Sequence, residues 1–370
     1  MPTSNAHIRY SEALALRDQG ATYAEIANYM SYAHAGAARR AVIGGLRLAG
    51  RDAEIPEGRA VSFHAGRTTR TVVIENLIGF PTTSSLTFGI EIECIGLTES
   101  RAARALTDAG FSCRAEGYTH TVMSTWKVVH DGSLSSRNGS CEVVSPILRG
   151  NDGLNEVRSV MKVLRDAGAS INVSCGMHIH IGVDNALTPL QQANVISAHQ
   201  HWQPAFDSLL TLRRTTETRW ASRRSRRGAQ EIADAWTTPN RIGTGSRYHS
   251  LNIAAFSRYG TFEMRSHHGS LNGTNATAWI ALHLAFIECV KDDSTILNQS
   301  IGNFPLAQTN GWSDHSQQFN DRGHGVDRDQ QKVALTTLVD ILVLRGWLDS
   351  ECGTFLKTRA SNIPTRSANQ

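Results

Sequence analysis

GMHIHIG, residues 176–182, alternates imidazole and aliphatic side chains in a short run bounded by glycine. Strict alternation is the period of a β-strand, whose successive side chains leave opposite faces. The run predicts a strand with Met177, Ile179 and Ile181 on a core face and His178 and His180 together on the other. Two imidazoles so placed are either ligands of a metal or phosphate, or polar side chains on a solvated sheet face.

The same pattern recurs outward from this run. FGIEIEC directs Glu91 and Glu93 to one side, TFEMR does so for Glu263 and Arg265, and SCEVVSP contributes Glu142. Taken singly, each reads as an ordinary exposed strand face, because charged side chains are mostly solvated. On one sheet face they would crowd negative charge, which is unfavourable unless cations neutralise it. Oxygen donors with an imidazole suit Mg²⁺ or Mn²⁺ better than a structural zinc. An arginine beside them suits a phosphate held by such metals, which makes a metal nucleotide the expected ligand. Arg247, in SRYHSLN just after GTGS, is a second anion ligand. GxxxxGK[ST] and GxGxxG are both absent, so no P-loop supplies the phosphate cradle.

Strand-like runs are LTFGIEIECI, WKVVHD, SCEVVSPI, INVSCGMHIHIGV, RYHSLNIAAF and GTFEMRSHH, and helical patterns fall at 153–167, 189–214, 275–291 and 327–347. Long helices between unevenly spaced strands predict an α+β fold, an open antiparallel or mixed sheet with helices on one face. The first 50 residues read as a small helical module resembling a helix-turn-helix: SEALALRDQ, TYAEIANYM with Thr22 and Glu25 as a capping box, then AARRAVIGGL. Ala15, Leu16, Ile26, Ala27 and Val42 are its expected contacts, with Arg39 and Arg40 opening the third helix. A bundle that only packs on a protein neighbour fits the pattern equally. Residues 51–85 read as a connector, 86–358 as the main domain, and 359–370 as a flexible tail.

Composition narrows the class. A hydrophobic fraction of 40% and a charged fraction of 19% are those of a globular protein. The most apolar stretch, Trp279 to Val290, is short and holds His283 and Glu288, so no membrane span is expected. The N-terminus has no secretory pattern, and the expectation is a soluble cytoplasmic protein. Six scattered cysteines without a CxxC indicate neither a zinc knuckle nor a disulfide framework.

The ordered set FGIEIE, WKV followed by DGSL, EVVSPIL, CGMHIHIG, RYHSLN and GTFEMR resembles the amidoligase family, relatives of glutamine synthetase and glutamate-cysteine ligase. The resemblance spans about residues 86 to 290. It implies a glutamine synthetase-like curved antiparallel sheet holding ATP and divalent metals. Carried onto this chain, Glu91, Glu93, Glu142, His178 and Glu263 would bind metal, and His180 would reach the phosphates. Arg247 and Arg265 would stabilise the transferred phosphoryl group, and Asp131 of the DGS element would position or deprotonate an amine. The elements that read ammonium, glutamate and adenine in glutamine synthetases do not align here, so the carboxylate and amine substrates stay unnamed, with peptide or protein among them. The activity implied is an ATP-dependent ligase forming an amide or isopeptide bond through an acyl phosphate. His249 and His267 are further candidates to take the amine proton.

Two other functions compete: a zinc hydrolase built on HxH, and a DNA-binding regulator with a ligase-like sensor domain. RRTTETRWASRRSRRG carries seven arginines from Arg213 to Arg227. It reads as a solvated loop, as a lid over ATP, or as a contact for nucleic acid with Trp220 stacking on a base.

Overall fold

The computed structural model describes residues 4–51, 60–73 and 79–363, except 20, 22, 31–34, 66–67, 118, 135, 137, 212–213, 216–219, 224–225, 238–245, 294–295 and 297–327. The chain divides into two compact units, Met1–Arg59 and Ala60–Gln370. The Thr22 end of the expected capping box lies outside the described residues.

Three helices make the first unit: α1 (Ser4–Asp18), α2 (Tyr23–Tyr29) and α3 (Ala35–Leu48). Ile26, Ala27 and Val42 are buried in its core and half-buried Leu16 packs against it, all as expected, but Ala15 is exposed. Ala13 and Leu14 are buried there in place of Ala15. Gly44 and Gly45 of α3 explain this phase: a Cβ on Gly45 would collide with the Tyr10 carbonyl oxygen, so α1 approaches there backbone-first. Positions 10, 13 and 14 then face inward at the i, i+3, i+4 spacing of one helix face.

The second unit opens with a hairpin, β1 (Ala60–Ala65) and β2 (Thr68–Val73). It continues through β3 (Thr87–Ile95), α4 (Glu99–Asp108), β4 (Cys113–Ala115), β5 (Trp126–Val129), β6 (Ser140–Val144), β7 (Leu148–Arg149), α5 (Gly150–Asp166) and β8 (Gly176–Gly182). Then come α6 (Pro189–His201), α7 (Gln203–Asp207), α8 (Arg226–Trp236), β9 (Leu251–Asn252), α9 (Ala255–Tyr259), β10 (Thr261–His268), α10 (Gly273–Asp292), α11 (Arg328–Leu344) and α12 (Ser350–Asn362). The main sheet runs β4-β5-β6-β3-β8-β10-β9, with β7 also on β3. Among the described strands of this sheet only the β4/β5 pair is parallel, so the fold is a mixed α+β one with an open, mostly antiparallel sheet.

Several boundaries differ from those expected. The helix read over 189–214 breaks at Trp202, because Pro204 lacks an N–H and its ring cannot follow the preceding turn. RYHSLNIAAF forms only the two-residue β9 before α9 closes on Gly260, whose φ of 65° is a left-handed cap. At the other end α12 runs to Asn362, anchored by the Asp349 carboxylate on the Glu351 and Cys352 amides and by buried Ala360. Residues 359–362 are therefore helix, not tail.

Ile90, Ile92, Val128, Val143, Met177, Ile179, Ile181, Phe262 and Met264 share one apolar core with α5 and α10. Their strand neighbours take the opposite face. α10 buries 16 of its 20 residues, so the most apolar stretch of the sequence is a core helix. Among the described residues no helix is long and apolar enough to cross a membrane.

His283 of α10 is fully buried, stacked on Phe206 at 4.5 Å between ring centres, and its Nδ1 donates to the Trp279 carbonyl at 3.0 Å. Its Nε2 has no partner among the described residues, and burial depresses its pKa from 6.5 to about 4. The folded state thus refuses a proton that the unfolded chain accepts below about pH 6.5. Stability is expected to fall by about 3 kcal/mol as pH drops from 6.5 toward 4. His283→Phe keeps the stack and should flatten this part of the acid limb in melting curves recorded against pH. A limb identical to that of the parent chain would contradict it.

Candidate active site

The register lays the polar face out as a grid. Glu91 lies opposite His178, Glu93 opposite Glu142, and Glu263 between His180 and Asn252. Nine of the residues singled out from the sequence, Glu91, Glu93, Asp131, Glu142, His178, His180, Arg247, Glu263 and Arg265, line one cavity of about 460 Å³.

Glu91 is its centre. Oε2 lies 3.1 Å from His178 Nδ1 and Oε1 lies 3.3 Å from His180 Nε2. Burial alone would raise its pKa, but the two imidazoles outweigh burial and hold the carboxyl well below the usual range. His178 also stands 3.8 Å from both Glu93 and Glu263. His180 Nδ1 meets Thr261 Oγ1 at 2.9 Å. Burial works against a proton on His180, yet the carboxylates of Glu263 and Glu91 raise its pKa overall.

The other carboxylates are fixed by backbone and side-chain donors. Glu93 Oε2 accepts the Gly176 amide at 2.5 Å, and a Cβ on Gly176 would sit 2.9 Å from His178 Nε2, so any larger residue there would displace this imidazole. Glu263 Oε2 accepts Asn252 Nδ2 at 2.6 Å, and its Oε1 is paired with Arg265 Nη1. Glu142 is pushed well above the ordinary carboxylate range by burial, then by Glu91, Glu93 and Asp131. That is the electrostatic signature of too many negative groups in one place.

Three overlapping sets have ligand atoms within 4.8 Å of one another: Glu91, His180 and Glu263; Glu91, Glu142 and His178; Glu93, Asp131 and Glu142. None contains more than one imidazole. Such oxygen-rich sets fit a hard divalent cation of the magnesium or manganese type.

Cations border the carboxylates. Arg265 Nε reaches the Trp220 carbonyl at 3.5 Å, and the exposed Arg247 lies over the Tyr248 ring at 5.0 Å. Within the arginine run, Arg214 lines the cavity and donates to the Cys175 carbonyl, and Arg223 forks onto the buried Asp207 carboxylate. Those two side chains are pinned instead of solvated. Arg213, Arg219 and Arg224 lie outside the described residues.

A family model described as "Putative amidoligase enzyme" matches residues 84–287, more than half of the chain. This chain belongs to the amidoligase family. No curated protein matches it. The matched span takes in every strand of the main sheet and those nine residues of the cavity, and it assigns the chain to the ligase type of enzyme.

Of the three candidates to take a proton in the amidoligase site, only Asp131 lines the cavity. It also caps its own turn, accepting the Ser133 amide at 2.7 Å. His249 instead meets Ser222 Oγ at 2.8 Å. His267 is turned away by a β-bulge: Met264 pairs with Ile179 but His267 pairs with Met177, so β10 carries one extra residue there and its phase inverts. His267 packs against Trp279 in the core, where burial and then the neighbouring His268 depress its pKa well below the ordinary value. Asn252, Arg258 and Tyr259 also line the cavity, and none was singled out from the sequence. The one local hint was Asn252, an asparagine inside a strand-like run, a residue type depleted from strands.

Proposed function

We propose that this amidoligase is an ATP-dependent carboxylate-amine ligase that forms an amide or isopeptide bond. What supports the reading is the juxtaposition in one cavity of four buried or half-buried glutamates, one of them, Glu263, paired with Arg265. Glu91, Glu93, Glu142, His178 and Glu263 would hold Mg²⁺ or Mn²⁺. When bound there, the metal supplies positive charge that offsets these carboxylates and a triphosphate.

A carboxylate resists amine attack because it is a poor electrophile, so transfer of the ATP γ-phosphoryl to it, giving an acyl phosphate and ADP, comes first. Arg265 and Arg247 stabilise the charge spread over the moving phosphoryl oxygens, and His180 contacts the phosphates. The amine then attacks the carbonyl carbon, phosphate departs, and Asp131 takes the amine proton. A zinc hydrolase would draw on more than one imidazole per site, and the donor sets favour oxygen.

The test is incubation with ATP, Mg²⁺, hydroxylamine and a panel of carboxylates, reading phosphate release and product mass. ADP and a hydroxamate should form together and only with particular carboxylates. ATP hydrolysis indifferent to the carboxylate, or bond formation without ATP, would overturn the reading.

Asn252 supplies a further expectation. Its amide orients Glu263 Oε2, and groups that orient metal ligands are worth about 10–100-fold in affinity. Asn252→Ala should weaken Mn²⁺ binding, measured calorimetrically, by about that factor.

A further inference from the structure

We infer that a smaller cavity beside the amidoligase site is the pocket for an apolar side chain, of leucine to phenylalanine size, on the carboxylate substrate. This rests on the ligase reading and names its substrate class. The cavity measures about 180 Å³. An apolar void of about 150 Å³ holds a benzene ring, whereas drug-sized ligands occupy roughly 300 Å³ or more.

Its position fixes which part of a substrate it takes. The pocket shares Glu91, Glu142 and His180 with the main cavity, so its occupant is joined by a short link to whatever reacts at the carboxylates. The reacting carboxyl meets that condition. Adenine, separated from the γ-phosphoryl by a ribose and two further phosphates, does not.

The chain builds the pocket from a gap in the sheet. Gly89 lies opposite His180, and a Cβ there would meet only Ser145 Oγ at 3.5 Å and His180 Cβ at 4.0 Å, both ordinary contacts. Val144 and Pro146 line the cavity, and so do Val122 and Ile147, which are 54% and 67% exposed. Aliphatic side chains left uncovered around a cavity mark an apolar-binding surface. Lys127, only 5% exposed, holds one wall: its Nζ donates to the carbonyls of Thr119 at 3.3 Å and Thr121 at 2.7 Å, tying down the backbone that leads into Val122.

Calorimetry on the full chain with Mg²⁺ and the β,γ-imido analogue of ATP tests this with two probes, 3-phenylpropionate and propionate. The aromatic probe should bind at least about tenfold more tightly, the worth of roughly 1.4 kcal/mol. Gly89→Val fills the gap at an extended position that suits a β-branched residue, and should bring the two probes within about twofold while Mn²⁺ affinity is kept. Ile147→Asp, at an exposed position that spares folding, should selectively weaken the aromatic probe. Equal binding of both probes to the parent chain would overturn the proposal. So would a Gly89→Val chain that loses the ATP analogue but keeps the probe preference, which would make this the base pocket. Binding is read without turnover, so failure of the ligase reading and failure of this pocket appear in different experiments.

Discussion

Glu91→Ala is expected to lower ATP-dependent ligation by about a thousandfold and to abolish tight Mn²⁺ binding, with the fold intact. Glu91 belongs to two of the three donor sets and is the carboxylate that both imidazoles face. Its loss removes charge stabilisation of a kind worth about 3–4 kcal/mol at single groups elsewhere. Folding should survive, because the side chain lies on the polar face and its removal relieves the repulsion on Glu142. Phosphate release, metal titration and a melting curve check the three parts together. Full activity with Mn²⁺ still bound would remove Glu91 from the chemistry.

Arg265→Lys should cut kcat by about a thousandfold while leaving Mn²⁺ affinity near its parent value. A lysine keeps the positive charge beside Glu263 but not the planar fork that grips two phosphoryl oxygens. Arginines that serve a transferring phosphoryl group contribute about 10³–10⁵ in rate. Steady-state kinetics at saturating ATP, set beside a metal titration, separates this loss from that of Glu91→Ala. A variant with parent kcat would leave Arg265 only the task of holding Glu263.

Much of the site was legible because alternation along a strand is a local property. Glu91 with Glu93, His178 with His180, and Glu263 with Arg265 could be assigned to one face from the backbone period alone. Neighbour relations were not legible. That β8 lies between β3 and β10 depends on long-range pairing, and so does the placing of Asn252 against Glu263. Nor was the fate of His267, a candidate to take the amine proton, legible, since the bulge after Met264 that carries it into the core cannot be read from composition. In α1 the inward phase was set by Gly44 and Gly45 of another helix, so Ala15 was read as a contact when Ala13 and Leu14 make it.

The dependence on alternation has a consequence for how such a gene can change. Codons can be gained or lost in the connections between strands, where no side chain of the cluster is re-aimed. One codon gained between Glu91 and Glu93, or between His178 and His180, would swap an acid or an imidazole for an isoleucine in the cavity and bury the displaced charge beneath the sheet. Length variation among related genes should therefore collect in the linking segments and spare the interiors of β3 and β8.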